Sequence, residues 1–265
     1  MNVLKDIAKT TADIIKSNMK EDAFSVIGRG PSGDLTKRID LIAEEHIVSR
    51  VENENLALNI LSEECGFIDK GEARTLIVDP VDGTFNCTHA IPFFAVSLAV
   101  AEKSMEDISH AVVYSVMDNK VYWAEKGKGA FLDDMMIRPR KFDPSDTVFS
   151  INFNRSAHDC AVSVAKHAKR VRVLGSASLE ICWVAEGKLD LYMNVLRGGS
   201  LRVVDIAAAS FILREAGGDV FNGMLRRLNM PLDVKKRENV VAVGDLRALK
   251  LLDELLRGCK NGGSA

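Results

Sequence analysis

None of the five cysteines stands in a Cys-x-x-Cys pair. That excludes the usual zinc-ribbon and dithiol redox patterns. Cys65, Cys87, Cys160, Cys182 and Cys259 are an odd, scattered set, which fits free thiols in a reducing cytoplasm. Cys87 and Cys182 read as small buried apolar residues. His46, His89, His110, His158 and His167 show no metal-ligand spacing. Neither sign of charge dominates. Lys and Arg number 35 against 37 Asp and Glu, leaving a net charge of −2 and no electrostatic footprint for nucleic acid or an anionic membrane. Long apolar runs are missing too: Ile91 to Ala101 is too short to span a bilayer and contains Pro92. Lys5, Asp6, Lys9 and Asp13 interrupt Val3, Leu4, Ile7, Ile14 and Ile15 at the N-terminus. That pattern predicts an amphipathic helix, not a signal peptide.

Several catalytic motifs are also lacking. Gly28-x-Gly30-x-x-Gly33 has the dinucleotide spacing, but one short strand precedes it and Pro31 interrupts it. Asp34-Leu35 stand where a Walker loop needs Lys-Ser/Thr. No cysteine is followed six residues later by arginine, and Asp79 begins Asp-x-x-Asp, not the Asp-x-Asp of aspartyl-phosphate enzymes. A covalent intermediate therefore has no evident nucleophile.

What the chain does have is 265 residues, 47% hydrophobic and 27% charged, enough to bury a sizeable core in one large domain or two smaller ones. Its most informative stretch is Leu76-Ile77-Val78-Asp79-Pro80-Val81-Asp82-Gly83-Thr84. An apolar strand ends in two carboxylates three residues apart. Carboxylates and carbonyls suit hard cations, and Pro80 stiffens the turn so that the Val81 carbonyl could face the same ion. Gly83 and Thr84 can open a helix whose N–H groups attract anions. A cation and an anion at one chain reversal point to metal-assisted phosphate chemistry.

Glu63 and Glu64 follow the apolar run Leu56 to Leu61, and Asp205 sits between Leu201-Val203-Val204 and Ile206 to Ala209. Carboxylates in apolar surroundings are costly unless paired or metal-bound. Two of them about 4 Å apart repel by roughly 4 kcal/mol at an effective dielectric of 20. Convergence of Glu63, Asp79, Asp82 and Asp205 would therefore require cations.

Helices are predicted over 3–19, 34–51, 156–168, 177–186, 203–216 and 246–256. Strands are predicted over 23–27, 56–61, 75–78, 94–101, 111–115, 120–124, 147–152 and 171–174. Phe142-Asp143-Pro144-Ser145 marks a boundary. The expected division is an N-terminal α+β subdomain, 1–146, with most metal ligands, and a C-terminal α/β subdomain, 147–265, with Asp205 and the substrate loop. The tail from Gly258 is polar and Gly-rich.

Ser62-Glu63-Glu64, Asp79-Pro80-Val81-Asp82-Gly83-Thr84 and Val204-Asp205-Ile206-Ala207-Ala208 resemble the signature blocks of the inositol monophosphatase superfamily. Gly30 to Asp34 and Arg170 to Gly175 resemble its archaeal fructose-1,6-bisphosphatase/inositol-1-monophosphatase branch. The resemblance implies a five-layered αβαβα sandwich in the α/β class. It also implies hydrolysis by water between two magnesium ions. Glu63, Asp79 and the Val81 carbonyl would hold one ion, and Asp79, Asp82 and Asp205 the second; a third, weaker ion would use Glu63 with water. Glu63 is thereby catalytic, and Asp34 and Thr84 match the pair that orients and deprotonates the nucleophile. Asp82, Gly83 and Thr84 would meet the phosphate, and Gly175, Ser176 and Ala177 the sugar or inositol ring. Asn194 stands where inositol phosphatases carry an acidic residue. Arg172, Arg197 (offset by one position from the family's arginine) and Arg202 would reach a second phosphate. The implied partner is a small phosphate monoester, with neither nucleic acid nor membrane, in a cytoplasmic homodimer or homotetramer. Two alternatives stand beside this: a phosphatase for 3′-phosphoadenosine 5′-phosphate or NADP, and a regulatory protein that retains the fold without catalysis.

Overall fold

A computed structural model describes residues 1–31, 33, 35–157 and 159–261, with no side-chain description for Glu21 or 257–261. The chain opens with α1 (Asn2–Ser17), whose Leu4, Ile7, Ala8, Ala12 and Ile15 form one buried stripe. Two short strands follow, β1 (Val26–Arg29) and β2 (Leu35–Lys37), paired as an antiparallel ribbon. Helix α2 (Arg38–Asn53) then begins four residues later than the hydrophobic spacing predicts. Residues 35–37 are committed to the ribbon. The Asp40 carboxylate accepts the Lys37 N–H at 3.2 Å, which fixes the first helical turn at Arg38.

The largest sheet has eight strands: β3 (Asn59–Ser62), β4 (Gly66–Ile68), β5 (Thr75–Asp82), β6 (Ala95–Ala101), β7 (His110–Ser115), β8 (Lys120–Glu125), β9 (Ala130–Leu132) and β10 (Met135–Met136). Their order is β10-β9-β8-β7-β6-β5-β3-β4. Only β3 and β5 run parallel within it. β5 and β6 are buried along their whole length, which suits the apolar runs 76–78 and 98–101 but also buries Asp79, Asp82 and Ser97. The short helix α3 (Thr84–Thr88) follows β5 directly after Gly83.

The second sheet has five strands: β11 (Val148–Ile151), β12 (Arg170–Arg172), β13 (Leu191–Asn194), β14 (Asp219–Asn222) and β15 (Val240–Val243), in the order β12-β11-β13-β15-β14. Between these strands come α4 (Asp159–His167), α5 (Ala177–Ala185) and α6 (Val203–Ala216); α7 (Leu246–Asn261) closes the chain and runs five residues past its predicted end. Strands β13, β14 and β15 were not foreseen. Each has four residues, too few for periodicity to separate a strand from a buried turn of helix.

Three cores order these elements into layers. Helices α1 and α2 pack on one face of the eight-stranded sheet through Ile7, Ile39, Ile47, Leu76, Val78, Val96 and Val112. Helices α5 and α6 fill the space between the two sheets, joining Ile77, Ala99 and Val113 to Tyr192, Val240 and Ala242. Helix α4 and the end of the chain cover the outer face of the smaller sheet through Phe149, Ile151, Met193, Val241 and Leu252. The result is the αβαβα sandwich that the resemblance implied. Cys182 sits in the central core and Cys87 in the first, both as small buried side chains. No described helix is long and apolar enough to cross a membrane.

Candidate active site

Because β3 and β5 are parallel neighbours, their carboxyl ends meet at one edge, where ligand crevices of α/β sheets form. Glu63 follows the last residue of β3, and Asp79 lies near the end of β5. Asp205 occupies the third position of α6, which packs between the sheets. These three carboxylates bring oxygens within 4.8 Å of one another, the one such cluster of potential metal ligands among the described residues.

The local chain accounts for the placement. The β5–β6 register is irregular between Asp79 and Asp82, so Pro80 and Val81 occupy a bulge. Pro80 has no N–H to donate to the ladder, and the Val81 N–H turns to the Asp79 carboxylate at 3.1 Å. The Ser62-Glu63-Glu64 turn is tied down by Glu44 on α2, whose carboxylate accepts the Ser62 hydroxyl and the N–H groups of Glu64 (3.2 Å) and Cys65 (3.3 Å). On α6 the Asp205 carboxylate caps the helix by accepting the Arg202 N–H at 2.7 Å.

Electrostatics match a cation-binding donor set. Burial, reinforced by Glu63, Asp82 and Asp205, holds the Asp79 carboxyl well above the usual carboxylate range. Burial pushes Glu63 up to about 8, against the opposing pull of Arg202. The guanidinium of Arg202 bridges the cluster, 2.6 Å from Glu63 and 2.9 Å from Asp205. Two buried carboxylates and the half-buried Glu63 against one guanidinium leave an excess of negative charge that a hard divalent cation would neutralise. The donors are all oxygens, as such an ion prefers.

Asp82 has a different environment. It accepts the Ser176 hydroxyl at 2.5 Å, the Ala177 N–H at 3.2 Å, the Ser178 N–H at 2.8 Å and the Ser178 hydroxyl. The carboxylate thus caps α5 from 96 positions away, and burial still raises it to about 6. It lies outside the three-carboxylate cluster. The Val81 carbonyl accepts the Thr84 hydroxyl at 3.0 Å.

Asp34 lies outside the described residues. The carboxylate that meets Thr84 is Asp40 on α2, 3.2 Å from the hydroxyl and pushed up to about 7 by burial and then by Glu64. Asp40 was missed in the sequence although it carried a signal. Asp40 and Glu44 are four apart on the same buried face as Ile39, Ala43 and Ile47, where an acid needs a purpose.

A cavity of about 340 Å³ opens on these groups, within the size range of small-molecule sites. Its wall includes Glu63, Asp79, Val81, Asp82, Gly83, Thr84, Gly175, Ala177, Asn194, Arg202 and Asp205. Ser176 sits behind the wall, fully buried on Asp82. Asn194 is held by the Ser200 hydroxyl at 2.8 Å. Arg172 and Arg197 are exposed and do not line the cavity. The arginines that do line it are Arg202, already engaged with carboxylates, and Arg237, which the sequence did not single out.

Known proteins share both sequence and fold. A fructose-1,6-bisphosphatase/inositol-1-monophosphatase of Methanothermobacter thermautotrophicus is 36% identical over 85% of each chain. A bifunctional NADP phosphatase/NAD kinase of Methanococcus maripaludis is 33% identical over 95% of this chain and 48% of its own length. A crystal structure of an inositol monophosphatase–fructose 1,6-bisphosphatase superposes with a TM-score of 0.85 at 31% identity, covering 96% of this chain and 98% of that one. Residues 1–257 match the inositol monophosphatase family model as one continuous stretch. The carboxylates gathered at the ends of β3 and β5 thus sit in a shared framework, and the chain belongs to the inositol monophosphatase family of metal-dependent phosphatases.

Proposed function

We propose that the chain hydrolyses phosphate monoesters of small sugars and cyclitols with magnesium, foremost fructose 1,6-bisphosphate and inositol 1-phosphate. The observation that carries this is the convergence of Glu63, Asp79 and Asp205 in one cavity with the Gly83–Thr84 turn. Those three carboxylates, joined by Asp82 and the Val81 carbonyl, would hold two or three ions. The metal supplies Lewis acidity, lowering the pKa of bound water and offsetting phosphate charge.

The chain's own residues do the rest. Gly83 and Thr84 line the cavity, and their N–H groups would orient the phosphate. The Thr84 hydroxyl is placed to accept a proton from attacking water while passing its own to Asp40, 3.2 Å away. Asp40, not Asp34, is the carboxylate we assign to that relay. Gly175, Ala177 and Asn194, which line the cavity, would face the ring hydroxyls, while Ser176 behind them holds Asp82. We also read 1–146 and 147–265 as two subdomains sharing the central core, in a cytoplasmic dimer or tetramer.

The test is a substrate panel with phosphate release measured with and without magnesium. Turnover of fructose 1,6-bisphosphate and inositol 1-phosphate only with the metal is expected. No magnesium-dependent release from either would reject the reading. The 33% identity to an NADP phosphatase makes NADP and 3′-phosphoadenosine 5′-phosphate the second arm of the panel.

A further inference from the structure

One peptide unit at the cavity wall is gripped from both sides. The Leu174 carbonyl accepts the Asn86 side-chain amide at 2.7 Å. The Leu174 and Gly175 N–H groups donate to the Glu180 carboxylate at 3.3 and 3.2 Å. Asn86 lies on α3, two residues beyond Thr84, while Glu180 lies on α5. Both side chains are buried, with exposures of 5% and 4%. The second Asn86 proton goes to the Phe93 carbonyl at 2.7 Å, and Glu180 also accepts the Ser150 hydroxyl. Neither contact belongs to the proposed chemistry.

The peptide is fitted as tightly as it is bonded. Gly175 has φ +88°, and a Cβ there would come within 3.2 Å of the Asn86 amide nitrogen. The Gly175 carbonyl lies 3.2 Å from where a Cβ on Gly83 would stand, and Gly83 itself has φ +93°. The next three residues of the chain, Ser176, Ala177 and Ser178, supply every donor to Asp82 described above. A displacement of the 174–175 peptide would therefore move both the donors that orient Asp82 and the backbone against the Gly83 turn. Burial pushes Glu180 up to about 7, so its position is costly to maintain.

We propose that Glu180 and Asn86 are a pair of positioning residues that clamp the Leu174–Gly175 peptide and thereby keep Asp82 and the Gly83–Thr84 turn in register for the reaction. The clamp ties β5–α3, which carries the phosphate end, to β12–α5, which carries the ring-facing loop. It rests on the phosphatase reading for its catalytic consequence, but not for its structural one.

The test uses the full chain with Glu180→Gln and Asn86→Ala, one change on each side of the peptide. Glutamine keeps the shape of Glu180 but turns an NH2 toward backbone donors. Each variant should lower kcat about 10- to 100-fold, with KM within roughly threefold of native, as misplacement of reacting groups does. Combining them should cost less than the product of the single effects, because both act on one peptide. Amide hydrogen exchange at Ala177 and Ser178 should speed up about tenfold or more, although neither substitution touches those residues. Unchanged exchange at Ala177 and Ser178, or unchanged kcat with faster exchange, overturns the clamp. A native chain inactive on every phosphate monoester would reject the phosphatase reading alone, and exchange would still decide the clamp. Should one variant lose protection throughout β6 and β7, it has unfolded, and the variant on the opposite side gives the answer.

Discussion

The Thr84 hydroxyl lies 3.2 Å from a carboxylate oxygen of Asp40, a residue 44 positions earlier on another helix. The same hydroxyl lies 3.0 Å from the Val81 carbonyl. One proton serves two acceptors, so the hydroxyl can turn from the carbonyl to the carboxylate without moving its backbone. Asp40→Asn keeps a side chain that can cap α2 but removes the proton acceptor. We expect kcat to fall about 10²-fold or more with little change in melting temperature, and Thr84→Ala to fall similarly without the two losses multiplying. Asp34→Asn is the control. Steady-state kinetics of the three would sink the assignment if Asp34→Asn were the more damaging.

Asp79 should behave in opposite ways with and without metal. Its charge is disfavoured first by burial, then by Glu63, Asp82 and Asp205. Asp79→Asn removes that repulsion but also one donor. In chelator the variant should melt higher than native, by an amount on the order of 1 kcal/mol or more. Adding magnesium should raise the native melting temperature through preferential binding to the folded form and leave the variant nearly unmoved. Thermal melts in chelator and in magnesium check both halves.

The carboxylate cluster was legible because its members fall in short blocks that break an apolar pattern: Glu63 after one strand, Asp79 near the end of another, Asp205 inside an apolar helix. The supporting groups were not, because their meaning depends on contacts distant in sequence. Asp40 shares the apolar face of Ile39, Ala43 and Ile47, but its partner Thr84 lies 44 positions away, and only the start of α2 at Arg38 shows that the two meet. The grip of Ser176 and Ser178 on Asp82 spans more than 90 positions. Arg172 lies on the edge strand β12, where alternate side chains reach solvent, a placement its sequence block does not reveal. Strand β15 was unseen because Val240–Val243 is apolar on both faces, without the alternation that marks a half-exposed strand.

Glu180 gives a pH signature independent of activity. Its ordinary value is 4.5, and burial raises it to about 7 in the folded chain. A carboxyl that is easier to protonate when folded contributes stability that is full below about pH 4.5 and is lost as pH rises through about 7. The shift corresponds to about 3 kcal/mol at most, as an order of magnitude. Glu180→Gln should therefore show a flatter stability profile than native between these pH values. Denaturant melts of both proteins in chelator at pH 4.5, 6 and 8 measure it. Parallel profiles would show that Glu180 titrates in the folded chain as an ordinary carboxyl.

Discrimination between one and two phosphates should pass through Arg237. It lines the cavity, and its guanidinium donates to the Ser200 carbonyl at 3.0 Å. The backbone beside it is fixed by the Glu238 N–H on the Leu201 carbonyl at 2.8 Å. Arg202, the other arginine of the wall, is committed to Glu63 and Asp205. A guanidinium meeting phosphate in a partly enclosed site contributes about 1.5–3 kcal/mol, roughly 10- to 150-fold in affinity. Arg237→Ala should raise KM for fructose 1,6-bisphosphate by a factor in that range and leave inositol 1-phosphate within about threefold. Arg237→Lys should recover only part of the loss, since an ammonium lacks the bidentate fork. Equal losses on both substrates would mean that Arg237 shapes the pocket without reading a second phosphate.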